Sequence, residues 1–269
     1  PDTLVNIMDL IRGDTTVLAV IGQPITHSAS PAMHNAVIQQ LNLNYIYVPF
    51  NVDPLCLEQA VLGLRASGVK GFNVTVPFKE SIIEYLDDID DDAKRIGAVN
   101  TVVNQEGRWV GFNTDGQGFV FSIKEHAHTA LAQKHIVILG AGGTTRALVW
   151  MLLKESVAQI TIVNRTEDKA ITLFNSMKPF LQDVSYNVLQ SDDPSVIDVL
   201  GTADIVINTT PLGMAPHEDK LPVSSVEWMH DSQLCYDVVY NPEHSLFLDE
   251  AKKRGCRTLN GTSMLAAQA

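Results

Sequence analysis

Short β-branched apolar runs alternate along the chain with stretches whose apolar residues recur at helical spacing, the pattern of strand–helix units assembled into parallel sheets. The first run is Val17–Ile21, stopped by Gly22 and Pro24. Ser30 before Pro31 reads as an N-cap and a first helical residue, with Met33, Val37 and Leu41 repeating beyond it. Tyr45–Phe50 reads as a second strand, and Asp53-Pro54 opens a helix that Gly68 closes. Gly71–Val76 is the third strand. Ala98–Val103 and Arg108–Phe112 form a hairpin around Gln105-Glu106-Gly107, leading through Asp115-Gly116 into a helix.

A second series starts at His135–Leu139, followed by Gly140-Ala141-Gly142-Gly143 and a helix through Leu153. Further strands are expected at Ile160–Val163, Val184–Leu189, Ile205–Ile207 and Leu234–Val239, which is the signature of a doubly wound sheet. The tail from His244 onward reads as helical, with Gly255 as a C-cap. The run Asp87-Asp88-Ile89-Asp90-Asp91-Asp92 reads as a solvated turn between helices.

Composition narrows the partners. A hydrophobic content of 45% over 269 residues fills α/β cores, and a net charge of −12 repels phosphate backbones and anionic lipid. Nucleic acid and membrane are therefore excluded as expected partners, and no apolar run approaches bilayer-spanning length. The cysteines Cys56, Cys235 and Cys256 form no metal-ligand pattern and suit a reducing, cytoplasmic setting. His27 and His34 lack the spacing of a metal pair, so no metal is expected.

The strand ending at Gly140, with Gly142 and Gly143 before a helix, supplies the tight turn and close backbone approach that a pyrophosphate needs. The third glycine of the usual dinucleotide fingerprint is replaced by Thr145, which implies a different loop or a wider helix–strand spacing. About twenty residues on, where an NAD enzyme places an acid on the ribose diol, the chain reads Asn164-Arg165-Thr166. A guanidinium there suits a 2′-phosphate, so NADP is expected. The alternative is a surface Arg165 neutralised by Glu167 and Asp168.

In the first half, alternation puts Asn73 and Thr75 on one face of a strand, and Lys79 follows the strand-breaking Pro77. Lys79 reads either as a solvated charge or as an acid/base group beyond a strand end. Asp115, opening a helix, reads either as its N-cap or as the carboxylate that holds Lys79 for proton transfer. Ser28 and Ser30 at the mouth of the first helix suit an anion such as a carboxylate; otherwise Ser30 caps and Ser28 decorates a loop.

Taken in order, Gly22-Gln23-Pro24, Ser28-Ala29-Ser30-Pro31 with His34-Asn35, Asn73–Lys79, Gly97–Thr101, Asn113–Gly116, Gly140–Arg146, Asn164–Thr166, Asn208–Met214 and Asp237–Pro242 resemble the shikimate dehydrogenases over nearly the whole chain. The resemblance implies two α/β domains: a substrate domain, residues 1–115 completed by 243–269, and a Rossmann-type NADP domain, residues 116–242, with the active site in the groove between them. It implies reversible reduction of 3-dehydroshikimate to shikimate in aromatic amino acid biosynthesis by a monomer or homodimer. Lys79 with Asp115 would be the acid/base pair. Ser28, Ser30 and Tyr240 would hold the substrate carboxylate, while Asn73, Thr75, Asn100, Asp115 and Gln268 would contact ring hydroxyls. Gly140, Ala141, Gly142, Gly143, Asn164, Arg165, Thr166 and Lys169 would contact NADP, with Thr209 and Met214 at its nicotinamide half. The family usually has alanines where Thr144-Thr145 stand and a glycine where Ser263 stands. Quinate or an amino analogue with NAD is the alternative activity, and a non-catalytic nucleotide-binding relative the remote one.

Overall fold

In the computed structural model the described residues are 11–26, 28–181 and 183–268, so His27 lies outside them. The chain divides into two compact units, Pro1–Asn113 and Thr114–Ala269.

The first unit contains β1 (Thr16–Gly22), α1 (Ser30–Gln40), β2 (Tyr45–Asn51), α2 (Leu57–Ala66), β3 (Gly71–Val74), β4 (Asp88–Ile89), α3 (Asp91–Ile96), β5 (Thr101–Gln105) and β6 (Arg108–Phe112). Its sheet runs β2-β1-β3-β5-β6-β4. β1 is parallel to β2 and β3, whereas β3/β5 and β5/β6 are antiparallel. The sheet is mixed because the β5–β6 hairpin turns on Glu106 and Gly107, both at positive φ (54° and 88°), the backbone that a tight two-residue hairpin demands. Ile21, Phe72, Val74, Ile82, Val102 and Trp109 fill the core.

Two local expectations are corrected here. Ser30 is the first residue of α1 rather than its cap; Ala29 holds the cap position without a side-chain bond. The acidic run is not merely a solvated turn. Asp88 and Ile89 pair with β6, and Asp90 caps α3 by accepting from the Asp92 and Ala93 amides. Asp87 accepts from the Trp109 amide at 2.6 Å and from Arg65 at 2.7 Å.

The second unit contains α4 (Asp115–Glu125), β7 (His135–Leu139), α5 (Gly143–Lys154), β8 (Gln159–Asn164), α6 (Glu167–Met177), β9 (Ser185–Gln190), α7 (Val196–Thr202), β10 (Ile205–Asn208), β11 (Leu234–Asp237), α8 (Leu246–Lys253), β12 (Arg257–Leu259) and α9 (Thr262–Ala266). Every strand pairing is parallel, in the order β12-β11-β10-β7-β8-β9. From β7 the chain builds outward through β8 and β9, then returns to place β10, β11 and β12 on the other side. The reversal between β7 and β10 is the point beyond which such sheets bind ligands.

The tail differs from a purely helical one, since β12 adds an edge strand to β11. α9 packs on α4. Gly118 of α4 permits that approach: a Cβ there would stand 2.8 Å from the Met264 carbonyl oxygen and 3.1 Å from Gln268 Cγ. Both tail contacts lie inside 114–269, so residues 243–269 group with the second unit by packing. No helix among the described residues is long and apolar enough to cross a membrane.

Candidate active site

The first unit gathers uncharged hydrogen-bonding side chains near the carboxyl ends of β1 and β3. Tyr47 donates its phenolic proton to Asn73 Oδ1 at 2.6 Å. Burial raises the Tyr47 pKa far above the ordinary phenol range, so the group stays a neutral donor. Asn73 Nδ2 donates to the Asn100 carbonyl at 3.3 Å and to Thr101 Oγ1 at 3.1 Å, and Thr101 Oγ1 donates to Asn100 Oδ1 at 3.0 Å. The His34 ring stacks on Tyr47 with centroids 4.1 Å apart, and burial lowers its pKa. Ser28 Oγ accepts from the Ser30 amide at 3.3 Å, which holds the two serines together.

Of the expected substrate residues, the structure therefore joins Asn73 and Asn100 through one network, while Ser28 and Ser30 bond to each other. Thr75 and Lys79 follow on the loop after β3, both half-buried. That loop is tied down by backbone bonds from the Thr75 amide to the Ile21 carbonyl (3.0 Å) and from the Val99 amide to the Lys79 carbonyl (2.7 Å). Tyr47 and Thr101 were not among the expected residues. Their signal was weak, because a tyrosine and a threonine are ordinary strand residues.

In the second unit, Asp115 is only 2% exposed and stands first in α4 after Thr114 at the cap position. A carboxylate so buried is held by polar neighbours rather than by water. Gln268, half-buried, lies against Gly118 one turn along the same helix.

The glycine turn sits at the strand reversal. Gly140 has φ of +108°, the left-handed backbone that a side chain resists, and a Cβ there would also meet Thr209 Oγ1 at 2.7 Å. A Cβ on Gly142, by contrast, would meet nothing within 4 Å, and no side chain caps α5. Open space above uncapped helix-terminal amides, flanked by Ala141 and Gly143, fits a pyrophosphate. Thr145, buried in place of the fingerprint's third glycine, turns its hydroxyl back to the Gly140 carbonyl at 3.0 Å and toward Thr209 Oγ1 at 2.8 Å. Thr209 Oγ1 also lies 2.8 Å from the Leu139 carbonyl, so the two hydroxyl protons are shared among three contacts.

At the end of β8, Asn164 Nδ2 donates to the Thr166 carbonyl at 2.7 Å and shapes the turn that presents Arg165 and Thr166 to solvent. Arg165 forms no ion pair among the described residues, so Glu167 and Asp168 do not neutralise it. Lys169 is exposed on the first turn of α6. The residues fit a dinucleotide bearing an extra phosphate. Met214 is 38% exposed at the end of the loop that follows β10, and Tyr240 is half-buried on the loop after β11.

A glycine turn at the reversal of an all-parallel sheet, joined in one chain to a unit rich in neutral hydrogen-bonding groups, defines a dinucleotide-dependent α/β enzyme. The family models assign residues 20–102 to the shikimate dehydrogenase substrate binding domain and residues 122–216 to the shikimate / quinate 5-dehydrogenase family. The chain belongs to the shikimate dehydrogenase family. It is 44% identical to a shikimate dehydrogenase (NADP(+)) of Caldanaerobacter subterraneus subsp. tengcongensis, over 96% of this chain and 90% of that protein. Among solved structures, a shikimate dehydrogenase in complex with NADP+ superposes with a TM-score of 0.87 at 40% identity, covering 96% of this chain and 88% of that one. A shikimate 5-dehydrogenase from Listeria monocytogenes in complex with shikimate and NAD gives 0.86 at 34% identity, covering 96% and 90%.

Proposed function

We propose that this enzyme interconverts 3-dehydroshikimate and shikimate using NADP(H). One observation carries the substrate assignment: the Tyr47–Asn73–Thr101–Asn100 network offers paired donors and acceptors without net charge, which matches a ring bearing several hydroxyls. The relatives named as NADP(+) enzymes and the exposed Arg165 support the cofactor.

In this reading Ser28, Ser30 and Tyr240 receive the ring carboxylate, and Asn73, Thr75, Asn100 and Gln268 receive hydroxyls. Gly140–Gly143, Asn164–Thr166 and Lys169 hold the phosphates and adenosine end of the cofactor, with Thr209 and Met214 at its nicotinamide. Bound NADP(H) supplies or takes up the hydride. Lys79 gives a proton to the carbonyl oxygen as it becomes an alcohol, or takes it back in the reverse direction. Asp115 serves as its carboxylate partner, and residues 243–269 serve the substrate side through Gln268. Three unpaired thiols support residence in the cytoplasm, and a monomer or homodimer belongs to the same proposal.

Initial rates on shikimate and quinate, each with NADP and NAD, test the assignment. Shikimate with NADP should give the highest kcat/KM; a higher value with quinate or with NAD would overturn that part of the proposal.

A further inference from the structure

Asp237 closes β11 with none of its surface exposed, and the chemistry proposed above does not use it. Three donors converge on its carboxylate. Oδ1 accepts from the Val239 amide and from Asn208 Nδ2, both at 3.0 Å, and Oδ2 accepts from Ser245 Oγ at 2.5 Å. An ionised carboxylate is an acceptor without donors, so it can satisfy all three at once. Among the described residues no Lys or Arg pairs with it, which makes the carboxylate a costly choice for packing alone.

Two of the donors lead to loops that the functional reading uses. Asn208 Nδ2 also donates to the Leu212 carbonyl at 3.0 Å, while Asn208 Oδ1 accepts from the Thr210 amide at 3.0 Å and from Thr210 Oγ1 at 2.7 Å. That shapes the loop from Thr209 to Met214. Gly213 lies against the same cluster: a Cβ on it would stand 3.3 Å from Ser245 Cβ and 3.8 Å from Asp237 Oδ2. Val239 precedes Tyr240 on the second loop, and the Val238 amide ties that loop to the Asn208 carbonyl at 3.0 Å. Ser245 caps α8 and fixes the third side.

We propose that Asp237 is a positioning residue that sets the spacing between the Met214 loop and the Tyr240 loop, and so registers the nicotinamide end of the cofactor against the carboxylate end of the substrate. The inference rests on the functional reading above. It acts on orientation, where small misplacements cost rate rather than cofactor affinity.

The test compares full-length Asp237→Ala, Asp237→Asn and Ser245→Ala with the parent. The readouts are kcat and KM for shikimate oxidation, the isotope effect with shikimate deuterated at the reacting carbon, and NADPH fluorescence on binding without substrate. Asp237→Ala should lower kcat by on the order of tenfold or more, raise the isotope effect and alter bound NADPH emission, with NADPH affinity changed by about threefold or less. Asp237→Asn keeps the shape and, with the Ser245 hydroxyl turned, the bonds, so it should return within about threefold of the parent. Parental kcat and isotope effect in folded Asp237→Ala, or Asp237→Asn no better than Asp237→Ala, would overturn the proposal. If Asp237→Ala does not fold, Ser245→Ala decides, and parental values there overturn it. A parent inactive on shikimate removes the substrate reading instead; NADPH emission, compared between parent and variants, then tests the positioning role by itself, and identical emission overturns it.

Discussion

Thr145 Oγ1 lies 2.8 Å from Thr209 Oγ1, a hydroxyl bridge that joins the first turns of α5 to the residue after β10 across the point where the strand order reverses. A glycine in the fingerprint lets helix and strand approach; here the larger side chain is accommodated because its hydroxyl is satisfied within the turn. Thr145→Val keeps the shape and removes the bridge, together with the one proton that Thr145 donates within the turn. The cost should be about 1–2 kcal/mol, read as a Tm lower by several degrees, together with a higher KM for NADP. Thr145→Ser should stay near the parent. A valine variant with parental Tm and NADP KM would show that the bridge contributes nothing.

The glycine turn and the strands that flank it were legible because their signals are local: β7 occupies His135–Leu139, as the apolar run predicts, and Gly140 must leave the ordinary backbone region. Tyr47 was not legible. Its role follows from pairing between elements, since the Asn35 side chain bonds both its amide and its carbonyl while its phenol reaches Asn73. β12 was missed because three residues held only by β11 show no period. Asp237 fell inside the expected strand Leu234–Val239 with no role of its own, and its partners Asn208 and Ser245 lie far from it in sequence or beyond a loop. The helix start at Ser30 was displaced by one residue, so its hydroxyl does not cap α1.

Lys79→Ala should lower kcat by on the order of a thousandfold with a small change in KM, because proton transfer is needed mainly in the transition state. Asp115→Asn should act on the same step. If the two residues work as a unit, the double variant will be little worse than Lys79→Ala in steady-state rates. Near-normal kcat in Lys79→Ala would remove it from the acid/base role.

Ser30→Ala and Tyr47→Phe should mainly raise KM for shikimate, by roughly tenfold, since groups remote from the reacting carbon bind ground and transition states alike. Thermal melting separates this from a folding defect. Because Ser30 does not cap α1, its Tm should move little, and Tyr47→Phe should lose only the Asn73 contact. Unchanged KM in both variants would place the substrate elsewhere.

Arg165→Ala should raise KM for NADP by roughly tenfold to a hundredfold at moderate salt, the scale of a lost charge-assisted contact to a phosphate. NAD lacks that phosphate and should be affected far less. No acid pairs with Arg165 among the described residues, so the ratio of kcat/KM for NADP to that for NAD should fall by nearly the same factor. An unchanged ratio would show that this guanidinium does not select the cofactor.

Asp237 also leaves a signature in stability against pH. Burial outweighs its three hydrogen bonds and raises its pKa to about 6, above the 3.8 of an exposed aspartate. The folded chain therefore holds this proton more tightly than the unfolded chain. Where the folded state binds more protons, stability falls as pH rises, so the contribution is unfavourable, growing between about pH 4 and pH 6 and constant above. Asp237→Asn cannot ionise and escapes that cost, which is on the order of 2–3 kcal/mol at most. Other titrating groups, such as Asp204 with its lowered pKa, are present in both proteins and cancel in the difference. The Tm of Asp237→Asn relative to the parent should therefore be higher at pH 8 than at pH 4.5 by several degrees. A Tm difference that stays flat between those pH values would mean that the carboxylate is not held above its ordinary pKa, and that the parent tolerates its charge without penalty.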